Sequence, residues 1–137
     1  MKNEFWLNLP VKDVQRSRDF FTAIGFTFAD GPGNTATSAA LQVGNKNMIV
    51  MLFEQSQFAG FTNHAVTDTS KSHEVLFSLG ADSRDEVDEL LAKVKVAGGT
   101  IVAEAGESQG WMYGGAFADL DGHRWNPLFM DFTKLPK

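Results

Sequence analysis

The segment that most constrains this chain is residues 110–132, GWMYGGAFADLDGHRWNPLFMDF. Aromatic and apolar residues on both sides of a short polar turn predict a β-hairpin. We expect strands at 112–118 and 124–130, joined by a turn at 119–122. Gly122 supplies the positive φ that such a turn needs, and the aspartates on either side of Leu120 can accept hydrogen bonds from its backbone amides. The hairpin also completes a series of predicted elements that occurs once already in the first half of the chain.

Composition narrows the class of protein before any motif is considered. The chain has 137 residues, of which 43% are hydrophobic and 21% charged, which is ordinary for a soluble globular protein. This length suits one domain, or two small modules that share one core. The net charge of −5, without a local cluster of Lys and Arg, argues against a nucleic-acid partner. The apolar runs have the length of strands, so we expect no membrane association.

Two further observations bear on compartment and chemistry. The chain contains no cysteine, which excludes disulfides, thiolate metal sites and a cysteine nucleophile. Its first residues, Met-Lys-Asn-Glu, lack the apolar core of a signal peptide, so we expect a cytoplasmic protein.

The first half of the chain predicts a strand, a helix and three shorter strands. Residues 4–9 alternate, with Trp6 and Asn8 on the face opposite the apolar one. Asp13 is suited to cap a helix that runs to Ile24, where Gly25 ends it. The three shorter strands are expected at 26–28, 36–43 and 48–53.

A linker and a second series follow. Residues 56–72 lose all periodicity and predict a linker with one helical turn near Phe58. A strand is then expected at 73–79. Ser83 and Glu86 form a capping box that begins a helix at 84–97, whose apolar residues recur at helical spacing. A short strand at 100–103 precedes the hairpin.

Strand, helix and three strands therefore occur twice, with FWLNLPV answered by HEVLFSL and AIGF answered by AGGTI. At this point the chain resembles the vicinal oxygen chelate superfamily, which includes glyoxalases, bleomycin-resistance proteins and extradiol dioxygenases. The resemblance covers nearly the full length and rests on NLPVKDVQRSRDFFTAIGF, SRDEVDELLAKVKVAGG and, above all, GWMYGGAFADLDGHRW.

The resemblance implies an α+β fold, in which two βαβββ modules form a curved mixed-sheet cup with the helices outside. We expect a single glyoxalase-like domain over 1–137, with module 1 at 1–55, the linker at 56–72 and module 2 at 73–132. Sheet edges left open would invite further pairing, so we also expect a homodimer.

The resemblance also places four metal-ligand positions on Trp6, Met51, Glu74 and Asn126. Indole cannot ligate a metal, and a thioether prefers soft ions such as Cu(I). Asn126 offers only an uncharged carbonyl, whereas a catalytic zinc site normally has three protein ligands. We therefore expect no cofactor and no tightly bound metal.

Glu74 is the most distinctive candidate. Its carboxylate is either a solvated group that pairs with Arg124, or a general base or polar anchor for a ligand. Trp111 and Tyr113 are either core packing or flat walls for an aromatic ligand. The full set of predicted ligand-binding residues is Trp6, Asn8, Met51, Glu74, Trp111, Tyr113, Arg124 and Asn126.

Three functions remain open at this stage. The first is a module that binds or sequesters a small organic molecule without an essential metal, as bleomycin-resistance proteins do. The second is an enzyme, either resembling lactoylglutathione lyase or acting as an isomerase, that uses Glu74 and a divalent metal if one is retained. The third is a dimeric domain whose ancestral site has decayed. No nucleic acid or membrane is expected as a partner.

Overall fold

A computed structural model describes residues 1–46 and 48–135, and that part of the chain contains eight strands and three α-helices. The chain divides into two compact units, Met1–Asp68 and Thr69–Lys137, each with its own four-stranded mixed sheet. The order of strand, helix and three strands occurs in both units, which confirms the predicted α+β class. None of the described helices is long and apolar enough to cross a bilayer.

The sheet of the first unit has the order β1-β4-β3-β2. β1 runs parallel to β4, and the other neighbours are antiparallel. A second helix, α2, follows β4 directly. The elements of this unit are β1 (Leu7–Val11), α1 (Val14–Ala23), β2 (Thr27–Phe28), β3 (Ser38–Val43), β4 (Met48–Glu54) and α2 (Gln55–Thr62).

Helix α1 begins and ends at the residues that the sequence predicted. The Asp13 carboxylate accepts a hydrogen bond from the backbone N–H of Arg16 at 3.1 Å, and Gly25 follows the helix with φ of 100°. The helix packs against β2, β3 and β4. Its buried residues include Phe20, Phe21 and the C-cap Ile24, which form its apolar face.

The sheet of the second unit has the order β5-β8-β7-β6, with β5 parallel to β8. The hairpin strands begin and end at the predicted residues. A short 3-10 helix follows the last strand. The elements are β5 (Leu76–Ala81), α3 (Arg84–Ala97), β6 (Thr100–Ser108), β7 (Met112–Ala118), β8 (Arg124–Met130) and the 3-10 helix Phe132–Lys134.

Helix α3 is held at both ends. The Ser83 hydroxyl accepts a hydrogen bond from the backbone N–H of Glu86 at 3.1 Å, and Gly98 ends the helix with φ of 94°. The Arg84 guanidinium bonds to the Glu107 carboxylate on β6 at 2.6 Å and lies over the Phe129 ring at 5.3 Å. The hydrogen bond from Arg84 lowers the pKa of the Glu107 carboxyl.

The first strand of each unit lies later in the chain than predicted. β1 covers Leu7–Val11 instead of 4–9, and β5 covers Leu76–Ala81 instead of 73–79. Both are edge strands, where Pro10 and Gly80 are tolerated because one side of the strand needs no ladder partner. Trp6 and Glu74 therefore precede these strands instead of lying within them.

Two other elements are longer than expected. β6 covers nine residues instead of 100–103, and its pairing with β7 shifts register between Ile101 and Ala103 and again before Gly106. These irregularities explain why the stretch reads as a loop in the sequence. The predicted single turn near Phe58 is the two-turn helix α2.

The turn between β7 and β8 contains a buried carboxylate. Asp119 Oδ1 accepts hydrogen bonds from the backbone N–H groups of Asp121 and His123, and Oδ2 accepts one from Trp125 Nε1, all at 3.0 Å. Asp119 is 6% exposed and Trp125 is fully buried. Burial raises the pKa of the Asp119 carboxyl, while nearby His123 and the bond from Trp125 lower it. The turn and the core of the second unit are therefore joined through one side chain.

We expect Asp119→Ala to destabilise the protein by about 3 kcal/mol, because two buried donors and one partly buried donor would lose their acceptor together. Urea denaturation followed by circular dichroism measures the change. The control is Asp82→Asn, since Asp82 is exposed. A loss below about 0.5 kcal/mol, the scatter typical of surface substitutions, would contradict the assigned role of the carboxylate.

Candidate functional site

Strand alternation gives each sheet one face that packs against a long helix, α1 or α3, and an opposite face that we call the open face. In the second unit the Tyr113 hydroxyl donates to Asp88 Oδ1 on α3 at 2.7 Å, and a Cβ at Gly115 would lie 2.8 Å from Leu91 of the same helix. Residues of the other parity, including Asn126 of β8 and its β5 partner Ser78, therefore lie on the open face.

Tyr113 is thus on the helix-covered face of its strand, whereas one of the two readings of the sequence made it a flat wall for a ligand. The hydrogen bond to Asp88 raises the pKa of the Tyr113 hydroxyl, because the carboxylate stabilises its protonated form. Its role in ligand binding stays a prediction.

In the first unit the same alternation separates the core from a cavity. Val50 and Leu52 of β4 are buried in the core. Residues 49, 51 and 53 alternate with them and line the cavity. Asn8 is the β1 partner of Met51 and shares its face of the sheet.

The cavity has a volume of about 790 Å³. Trp6 and Met51 both lie in its wall, whereas Asn8 is not among the lining residues. The segment before β1 also contributes Asn3, Glu4 and Phe5, which the sequence analysis did not propose as site residues. The lining residues are Asn3, Glu4, Phe5, Trp6, Lys46, Met48, Ile49, Met51 and Phe53.

The wall of the cavity is mainly aromatic and thioether in character, with one acid and one base at its margin. Trp6 is 51% exposed, so a ligand could cover much of its ring. Glu4 and Lys46 have no hydrogen-bond or ion-pair partner within residues 1–46 and 48–135. A Cβ at Gly33 would lie 3.2 Å from Met51 Cε, so the glycine leaves room for this side chain.

The other predicted site residues belong to the second unit. Glu74 is exposed and lies two residues before β5. Arg124 Nε donates to His73 Nε2 at 3.0 Å, so the histidine, and not the predicted Glu74, is its observed partner. The ring of Trp111 lies 6.1 Å from that of Phe132. The ligand-binding roles of Glu74, Arg124 and Trp111 stay predictions.

The two units have the same order of elements, so a residue in one unit has an equivalent in the other, including at the four implied metal positions. The helix caps Asp13 and Ser83 are 70 residues apart, and so are Asn8 and Ser78, which pair with Met51 and Asn126 respectively. The same spacing makes Leu76, and not Glu74, the equivalent of Trp6.

The side chains at these positions do not fit a divalent metal. Indole, thioether and isobutyl groups supply no suitable ligand. The Asn126 amide is engaged within the sheet, since Nδ2 donates to Gly115 O at 2.6 Å and Oδ1 accepts from Ser78 Oγ at 3.4 Å. No cluster of three or more His, Cys, Asp or Glu side chains suited to a metal occurs among the described residues.

Comparison with protein families supports the resemblance seen in the sequence. The family model described as Glyoxalase/Bleomycin resistance protein/Dioxygenase superfamily matches residues 5–126. That range includes all three helices and every strand except the last four residues of β8. Comparison with curated proteins gives no match.

Several solved structures share the fold. A hypothetical protein from S. aureus is 37% identical, with a TM-score of 0.83 over 94% of this chain and 95% of that one. The fosfomycin resistance protein FosX from Listeria monocytogenes is 16% identical, with a TM-score of 0.66 over 98% of each chain. Lactoylglutathione lyase from Agrobacterium tumefaciens is 12% identical, with a TM-score of 0.65 over 93% and 94%. At such identities the last two show likeness of fold alone.

We expect calorimetric titration of the protein with Ni²⁺, Zn²⁺ and Mn²⁺ to show no stoichiometric binding, because the implied positions lack charged donors. Titration of each metal into buffer gives the heat of dilution for comparison. Submicromolar binding of one metal per chain would contradict this expectation and favour the lyase reading.

Proposed function

Because the chain belongs to the Glyoxalase/Bleomycin resistance protein/Dioxygenase superfamily, we propose that it binds a small organic molecule on the open face of its first sheet, without an essential metal. The observation that carries this proposal is the cavity of about 790 Å³ beside β4. Its volume lies in the range of small-molecule sites, which are mostly apolar with a few polar groups. Trp6 and Met51 stand in its wall at two positions that carry ligands in metal-using relatives.

The cavity favours a flat, conjugated ligand. Phe5, Trp6 and Phe53 offer ring faces, and aromatic pairs gain stability beyond the area that they bury. Covering roughly 100 Å² of these rings would contribute about 2.5 kcal/mol before the entropic cost of binding. Methionine side chains adapt to irregular shapes, so Met48 and Met51 suit a site that accepts related ligands.

Binding without chemistry has more support than catalysis by Glu74. Glu74 is exposed, lies outside any strand, and belongs to the unit that does not contain the cavity. The acidic residue that does line the cavity, Glu4, is exposed as well. A general base is expected to be within hydrogen-bonding reach of the proton that it removes, often in a sheltered environment.

We expect the protein to bind 2-naphthoate, and Trp6→Ala to weaken binding about tenfold, because half of the indole surface is open to a ligand. Isothermal titration calorimetry measures the dissociation constants. The control is Val96→Ala, which removes apolar surface from a residue 92% exposed on α3. Equal affinity in all three proteins would show that the probe binds elsewhere.

We also propose that the protein is a homodimer. The open face of the second sheet exposes apolar side chains, with Leu76 59% and Met130 36% accessible. A sheet covered on one face only is stable in water when the other face is polar or is buried in an assembly.

Sedimentation is expected to show a dimer at micromolar concentration, and Leu76→Lys is expected to raise its dissociation constant at least about tenfold, since it places a charge in the apolar face. Val96→Lys adds the same charge at an exposed helix position and should leave the dimer intact. A monomer in the unsubstituted protein would refute the proposal.

A further inference from the structure

We propose that Phe61 on helix α2 is a positioning residue that limits the size of the ligand by holding the ring of Phe53. This inference rests on the proposed binding function. Phe53 lines the cavity, whereas Phe61 is not among the lining residues and its ring packs against the ring of Phe53. Its effect on a ligand would therefore pass through Phe53.

The contact between the two rings is specific in geometry. Their centroids are 5.0 Å apart and their planes are 82° apart, the edge-to-face arrangement that aromatic pairs favour. β4 and α2 are joined without a loop, because Glu54 is both the last strand residue and the helix N-cap. The ring on the helix is thus tied closely to the strand that forms the cavity wall.

Helix α2 contributes little to the core of its unit. None of its eight residues is buried, and the side chain of Glu54 makes no capping hydrogen bond. The half-buried residues Gln55, Phe58 and Ala59 share one side of the helix, which contacts β1 and β4. Phe61 lies beside this side and remains 62% exposed, although its ring packs on Phe53.

An exposed aromatic side chain whose ring packs on a ring that lines a cavity points to a role in the site more than in folding. With Phe61 in place, the Phe53 ring is supported and cannot turn outward to enlarge the cavity. Without Phe61, the Phe53 ring can move, so a larger ligand has more room and a small ligand makes weaker contact with the cavity wall. An aromatic pair of this kind corresponds to a change in affinity of about two- to tenfold.

The test uses three aromatic carboxylates that differ in ring number: benzoate, 2-naphthoate and 2-anthroate. The measured quantity is the ratio of the benzoate to the 2-anthroate dissociation constant, obtained by titration calorimetry or tryptophan quenching. We expect Phe61→Ala to raise this ratio by about fivefold, since the larger probe gains and the smaller one loses. Phe61→Tyr keeps the ring and should restore the native ratio, and Gln57→Ala, at an exposed position of the same helix, should leave it unchanged.

A second variant protects the test against unfolding of α2. A Cβ at Gly60 would meet open space, and the residue is not at positive φ, so Gly60→Ala stiffens the helix without touching the cavity. It should hold Phe53 more firmly and lower the ratio, by about twofold. A purely structural role of Phe61 would change all three affinities together and leave the ratio constant.

The outcomes separate the inference from the function on which it rests. If the unsubstituted protein binds none of the three probes, the proposed binding function fails and the inference fails with it. If it binds them and Phe61→Ala leaves the ratio unchanged, only the inference is overturned.

Discussion

In each sheet of this protein only one face packs against the long helix of its unit, α1 or α3, and most other features depend on that asymmetry. Along β4, Val50 and Leu52 are buried while Met51 and Phe53 face the cavity. Along β8, Trp125 is buried while Asn126 faces away from α3. Successive side chains of a strand point to opposite faces of the sheet. A shift of the strand register by one residue would therefore turn the core side chains toward the cavity and the cavity side chains into the core. The buried Trp125–Asp119 hydrogen bond secures the register in the second unit.

The parts of the fold that the sequence predicted carry local signals. The hairpin at 112–118 and 124–130 has a turn whose glycine adopts a positive φ, and α1 has a capping aspartate before it and a glycine after it. The first strand of each unit, β1 or β5, has no such local signal at its ends. Pro10 and Gly80 look like strand ends, but each lies within an edge strand, where the sheet demands less of the backbone. Whether a strand lies at the edge of its sheet depends on how the whole sheet assembles, and a local sequence pattern does not predict this.

The placement of the candidate site residues depends on the same kind of information. Trp6 and Met51, which the sequence assigned to one face of the sheet, both line the cavity, because the alternation of a strand does not depend on where its ends are drawn. The contribution of residues 3–5 was missed, because it depends on how a segment without regular structure packs. Glu74 was matched to Trp6 because HEVLFSL was aligned with FWLNLPV without the helix caps that fix the spacing, and its role in ligand binding stays a prediction. With the caps as reference, an apolar leucine replaces the carboxylate, and the argument for a metal weakens further.

The position of the last strand in each sheet has a consequence for how the protein is made. β4 and β8 end their βαβββ series, yet each lies in the interior of its sheet, between the first strand and the one that precedes it in the chain. Ser78 and its partner Asn126 are separated by 48 residues, so β5 cannot pair until almost the whole unit has left the ribosome. Long-range pairing of this kind is slow, and strands that wait for a neighbour offer unpaired edges to other chains. A nascent chain that stops before β8 therefore lacks the strand between β5 and β7. Both of these strands then expose unpaired backbone groups that can pair with another chain.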